Sequence, residues 1–186
     1  GGSGDDGIVR MCQISGNRVL LLGGSNSPAD GNRTISKEGY WLIVIDSVGN
    51  PLEQYAYNGA AGISSLQVTA DNGCLISGSS PRSDLVVGTI EDRTEDCLGR
   101  ENVWVLKLDS NFNKQWDKVI FTTGNDADGF SLETPEGCYV VATQSKAGIG
   151  GYKTQAAWDS SYDYFVVKFC MERVSSINQG PITEDG

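Results

Sequence analysis

The sequence predicts an all-β fold made of repeated four-stranded units. Three observations carry that prediction. A unit of about 62 residues recurs three times, strand-like segments alternate with turn signals inside each copy, and no window of ten or more residues shows a helical period. The 24 glycines against 5 prolines supply the tight turns that short strands need.

The first two strands of each copy stand out by self-similarity. GIVRMCQISGNRVLLLGGS (7–25) is echoed without gaps by GISSLQVTADNGCLISGSS (62–80) and, in shortened form, by GFSLETPEGCYVVATQS (129–145). In the second copy the apolar positions Ile63, Leu66 and Val68 precede the turn ADNG, whose Asn-Gly pair tolerates the positive φ a hairpin demands. CLISGS then forms the second strand. A polar, glycine-rich connection of variable length follows, with the insertion of the second copy falling inside 81–102. The third strand is YWLIVID (40–46), VWVLKLD (103–109) and YFVVKFC (164–170), with Trp41, Trp104 and Phe165 in one column. VWVLKLD is apolar on both faces, as a strand between two neighbouring sheets must be. PLEQYAY after the turn SVGN, and KQWDKVIF after SNFN, make the fourth strand.

Four locally connected antiparallel strands per copy describe one blade of a β-propeller. A β-sandwich would not repeat at this period, and the coils of a parallel β-helix are shorter. The boundaries are 1–59 for the first blade, 60–124 for the second, 125–177 for the third, and 178–186 for a polar tail or linker.

Composition excludes several functions. A net charge of −10 and a pI near 4.4 leave no basic stripe for nucleic acid. Histidine is absent, which removes Ser-His and Cys-His catalysis and His-ligated zinc. The apolar runs are too short for a transmembrane helix. Cys12, Cys74, Cys97, Cys138 and Cys170 form no CxxC pair. All but Cys97 lie in expected strands, where a free thiol is a small buried hydrophobe. Cys97, in the polar loop RTEDCLGREN, is a disulfide candidate in an exported protein, and the connectivity stays open. The opening GGSGDDG has neither a basic nor an apolar leader, which reads as a removed signal or an excised segment.

GGSGDDG (1–7), TADNGCLISGSS (69–80), VWVLKLDSNFNKQWDK (103–118) and YDYFVVKF (162–169) resemble a repeat of secreted and surface β-propellers of Bacteroidetes, many exported by the type IX route. The resemblance runs to Cys170 and implies an extracellular or cell-surface location more than an activity. The second copy departs from the pattern, with Ala60 and Ala61 in place of the acidic pair. A Gly-Asp-Lys element of the family survives only as Gly151-Tyr152-Lys153. LDSNFNKQW (108–116) also resembles the tryptophan-docking motif of quinoprotein-type propellers and, distantly, the Asp-box of sialidases. On that pattern Asp46 and Asp109 accept backbone N–H groups in the turn after the third strand, and Trp116 lies flat on the next blade. Asp46, Asp109, Trp41, Trp104 and Trp116 are therefore expected to be structural.

Three groups of residues are candidates for chemistry. Asn125-Asp126-Ala127-Asp128-Gly129 alternates oxygen ligands as a calcium loop does, though it lacks the later carboxylate; Asp126 and Asp128 are the candidate metal ligands, against the alternative of side chains that bond their own turn. Glu91, Asp92, Glu95, Asp96, Asp159 and Asp163 are loop carboxylates of the kind a glycosidase pairs, although loop 91–101 also reads as a solvated insertion. Tyr152, Trp158 and Tyr162 form an aromatic cluster in the third copy suited to a sugar ring or a protein partner, while Tyr164 reads as packing.

Three blades do not close a ring, so the chain is expected to be a segment of a longer propeller, with a head-to-tail dimer making six blades as the main alternative. The sequence thus leads to a non-enzymatic extracellular or cell-surface propeller module that binds protein or glycan, with no cofactor beyond a calcium option. A secreted glycan hydrolase and a purely structural spacer are the rival readings.

Overall fold

The computed structural model describes residues 1–59, 62–82, 91–96, 99–159 and 161–171. Within them the chain is all-β, with eleven strands: β1 (Asp6–Ile14), β2 (Arg18–Ser25), β3 (Gly39–Ile45), β4 (Pro51–Tyr57), β5 (Ser65–Val68), β6 (Cys74–Pro81), β7 (Glu101–Leu108), β8 (Lys114–Ile120), β9 (Asp126–Glu133), β10 (Cys138–Ser145) and β11 (Asp163–Cys170). They form three antiparallel sheets in the orders β1-β2-β3-β4, β5-β6-β7-β8 and β9-β10-β11. Every neighbour in a sheet is also a neighbour in sequence, the arrangement expected from the repeat. The fourth strand expected in the third copy would follow Cys170 and lies outside the described residues. Among the described residues no helix is long and apolar enough to cross a membrane.

Strand alternation decides which sheet meets which. In β7, Trp104, Leu106 and Leu108 join the core shared with the first sheet, beside Leu20, Leu22, Leu42 and Val44. Val103 and Val105, on the opposite face, pack with Tyr139, Val141 and Phe165 of the third sheet. All five β7 side chains are fully buried, which is why VWVLKLD shows no polar face. The second sheet is thus the middle layer. The outer layers each keep one uncovered face, carrying Met11 on the first sheet and Phe130, Tyr164 and Val166 on the third.

Both expected turn aspartates do what their position asks. Asp46 Oδ1 accepts the backbone N–H groups of Val48 and Asn50, and Asp109 Oδ1 accepts those of Asn111 and Asn113, at 2.8–2.9 Å. The Asn50 side-chain amide and its own N–H hold the Asp46 carboxyl below its ordinary range; for Asp109 the Asn113 N–H leads. Between β5 and β6, Asn72 adopts φ 62° and donates its N–H to the Thr69 carbonyl, closing the predicted hairpin.

Two expectations are corrected. Cys138 and Cys170 are not free hydrophobes: they form a disulfide between paired positions of β10 and β11. In the first and second copies the place of Cys170 is taken by Asp46 and Asp109, so the third copy exchanges the turn aspartate for a covalent link. Cys12 and Cys74 are free thiols, and burial pushes both upward, Cys74 to about 12. Cys97 lies outside the described residues. Trp116 does pack on the next sheet, but edge-on, meeting Tyr139 at 4.7 Å and 70°. That T-shaped geometry sets positive ring edge against negative ring face.

Candidate functional site

The loops between second and third strands are anchored by a device repeated in all three copies. Arg33, Arg93 and Lys153 stand sixty residues apart in sequence and are all buried. Each donates to a carbonyl at or just beyond the end of the second strand: Arg33 to Ser27 O, Arg93 to Pro81 O, and Lys153 to Ser145 O at 3.1 Å. Desolvation lowers the affinity of Arg33 for its proton, opposed by the nearby carboxylate of Asp6. The threonine after each arginine continues the network. Thr34 N–H and Trp41 Nε1 both donate to Gln54 Oε1, at 3.1 and 3.2 Å. Thr94 N–H and Trp104 Nε1 both donate to Asp117 Oδ2, at 2.8 and 2.9 Å. The family resemblance marks Lys153 alone, as a remnant of the Gly-Asp-Lys element; the signal for the full set is the constant spacing of a basic residue followed by threonine.

This anchoring positions the 146–162 loop, where the aromatic candidates reside. Gly150 and Lys153 exchange backbone hydrogen bonds, Tyr152 N–H donates to Phe121 O at 3.0 Å, and Ala157 N–H reaches Ala147 O. The Tyr152 ring meets Phe121 edge-on at 5.2 Å and lies under the Lys118 ammonium. Tyr152 is therefore a foot of the loop, packed on the second sheet, and not part of an exposed cluster. Trp158 is 80% exposed and Tyr162 46% exposed. The Trp158 N–H is held by the Asp163 carboxylate, and Ser161 donates both its N–H and its hydroxyl to Trp158 O. Lys146 Nζ sits 4.4 Å from the Tyr162 ring centroid. Trp158 and Tyr162 are thus both exposed, with Lys146 over the Tyr162 ring and the Asp163 carboxylate at the Trp158 N–H. Tyr164, read from sequence as packing, is 88% exposed because among the described residues no layer lies over its face of the third sheet.

Several of the candidate carboxylates are engaged by hydrogen bonds within the chain. Asp126 is fully buried; Oδ1 accepts from the Thr122 hydroxyl, and Oδ2 from Thr122 N–H and Asn102 Nδ2, at 2.7–2.9 Å. Asp128 is exposed at φ 54°, whereas the Asp126 carboxylate is buried and taken up by Thr122 and Asn102. Among the described residues no group of three or more metal-type donors gathers. Loop 91–96 is largely exposed, as a solvated insertion would be, but Arg93 is buried and the carboxylates are bonded. Asp92 accepts from Lys37 Nζ and Asn58 N–H, Glu95 from Val119 N–H, and Asp96 from Arg93. Glu95 thus ties the loop to β8, Asp92 ties it to the residues flanking β3 and β4, and Asp96 closes a bond within it. A cleft of about 530 Å³, lined by Asp5, Asp6, Ser25, Glu38, Tyr40 and Ile63, opens beside the start of the first sheet. Asp6 on its wall accepts from Ser25, Ser27 and the Gly2 N–H, and the Ser25 hydroxyl above all keeps its carboxyl low.

Compared with known proteins, the chain matches no family model and no curated protein.

Proposed function

We propose that the three sheets are successive blades of a β-propeller and that the chain is an extracellular or cell-surface binding module acting through its 146–162 loop. The observation that carries the reading is the 80% exposure of Trp158 on a backbone held by Asp163 and Ser161. An exposed indole offers a ring face to a ligand, and the bonds at the Trp158 N–H and carbonyl reduce the backbone ordering that binding costs. Glycan is the ligand class that fits best. A sugar's C–H face stacks on an indole or phenol ring, while Lys146 and Asp159 stand near in sequence for its hydroxyls. The locally connected antiparallel sheets and the 62-residue period support the blade reading. The disulfide between Cys138 and Cys170 agrees with an oxidising compartment.

Titration calorimetry against a panel of soluble polysaccharides tests the reading, with Trp158→Ala beside the unaltered chain. Binding that the substitution weakens at least tenfold, at unchanged melting temperature, is the expected result. Binding unaffected by the substitution, or its restriction to protein ligands, overturns the glycan assignment.

A further inference from the structure

The two uncovered faces are repeat-equivalents of the two faces that meet inside the molecule. At the first interface, Tyr40 on the first sheet stacks on Trp104 of the second, with ring centroids 5.5 Å apart. Its hydroxyl donates to the Gly62 carbonyl at 3.0 Å. In the aligned third strands Tyr40 corresponds to Val103 and Tyr164, and Trp104 corresponds to Trp41 and Phe165. Val103 accordingly packs in one core with Phe165 at the second interface. The third sheet then presents Tyr164, 88% exposed, with Phe130, Leu132 and Val166 around it. The first sheet presents the side on which Ile43 and Leu21 lie in register with Met11, which is 74% exposed; Trp41 on the same side is buried beneath Arg33.

A charged pair repeats in the same way. Lys107 Nζ bonds Asp71 of the preceding turn at 2.8 Å and is buried beneath the third sheet. Its equivalent, Lys168, bonds Glu136 of the corresponding turn, yet the pair stands half exposed on the open face. The third sheet therefore carries both elements of an interface side, the docking tyrosine and the strand–turn ion pair, without the layer that covers them elsewhere.

We propose that a second copy of this chain covers that face, docking the Trp41 side of its first sheet on the Tyr164 side of the third. The contact is head-to-tail, since the two faces differ. Tyr164 would occupy over the Arg33–Trp41 stack the place that Tyr40 occupies over Trp104, with its hydroxyl toward the Gly7 carbonyl, Gly7 being the equivalent of Gly62. The inference rests on the stacked-blade reading and is independent of the loop's ligand.

Sedimentation of the whole chain over a range of concentrations tests it, using two variants at exposed positions, Tyr164→Glu and Met11→Glu, each checked for an unchanged melting temperature. The unaltered chain is expected at a multiple of 19.9 kDa, and each variant alone at the monomer mass. An equimolar mixture of the two variants is expected to form a dimer, because one supplies an intact first-sheet face and the other an intact third-sheet face. A mass that stops at a fixed multiple means the stack closes as a ring; a mass that keeps growing with concentration refutes the ring but upholds the docking. A monomeric unaltered chain, a variant that associates as before, or a mixture that stays monomeric overturns the proposal.

Discussion

The bond between Trp104 and Asp117 offers the most searching check on how the repeats are held together. Trp104 is fully buried, and its indole N–H reaches Asp117 Oδ2 at 2.9 Å. Burial pushes the Asp117 carboxyl up, but Lys114, Trp104 and Thr94 outweigh it and leave the group lowered. Trp104→Phe keeps a ring against Tyr40 while deleting the N–H. The lost charge-assisted bond costs about 1.5–3 kcal/mol and the space left by the smaller ring about 1–2 more. Asp117→Ala strands the Trp104 N–H together with the Thr94 N–H and hydroxyl, at roughly 3–5 kcal/mol. Urea unfolding followed by circular dichroism on both singles and the double variant gives the coupling between the pair. A coupling of about 1.5–3 kcal/mol is expected. The equivalent bond from Trp41 goes to neutral Gln54 at 3.2 Å, so the same cycle there should yield about 0.5–1.5 kcal/mol. Additive single effects at Trp104, or a larger coupling at Trp41, would refute the reasoning.

The disulfide and an ion pair give two further predictions. Replacing Cys138 and Cys170 by serine opens a link across a sequence separation of 32, worth roughly 3–4 kcal/mol at most in loop entropy. The guanidinium midpoint should fall, and reductant should lower the unaltered chain but not the variant; equal midpoints for all would contradict the link. Asp71 is held at about 2: burial pushes it up, and the Lys107 hydrogen bonds, with Thr69 and Gly73, pull it further down. A carboxylate with a depressed folded value contributes its stability in full above its ordinary 3.8 and loses it as pH falls through 2. Asp71→Asn should therefore flatten the drop in melting temperature between about pH 4 and pH 2, and parallel curves would sink the assignment.

The strands were readable because their side chains report a local rule: apolar on one face or both, with glycine or asparagine at most turns where φ is positive, Phe112 between β7 and β8 being an exception. Asp46 and Asp109 were readable for the same reason, since their bonds close within four residues. What escaped the sequence depends on contacts between distant segments. Arg33, Arg93 and Lys153 differ in type and sit in loops of unequal length, so only their spacing links them. Cys138 and Cys170 meet through strand register, which no cysteine spacing specifies. Arg93, Asp92 and Glu95 looked like a solvated charge run because each finds its partner on another strand or loop, on Pro81, Lys37 and Val119. Tyr164 looked like packing because its neighbours along the strand are apolar; its exposure follows from the absence of a layer, a fact about the stack and not about the strand.

Placing the covalent link across the last described hairpin changes what the chain does under mechanical load. Pulled from its two ends, each antiparallel hairpin of the first two sheets can peel apart and lengthen the molecule. The stretch from Cys138 to Cys170 cannot, because force passes through the sulfurs and bypasses it. At about 3.4 Å per residue, those 32 steps withhold roughly 110 Å of extension. The third sheet's central hairpin would then remain folded as a short, inextensible segment after the other two sheets had been drawn out.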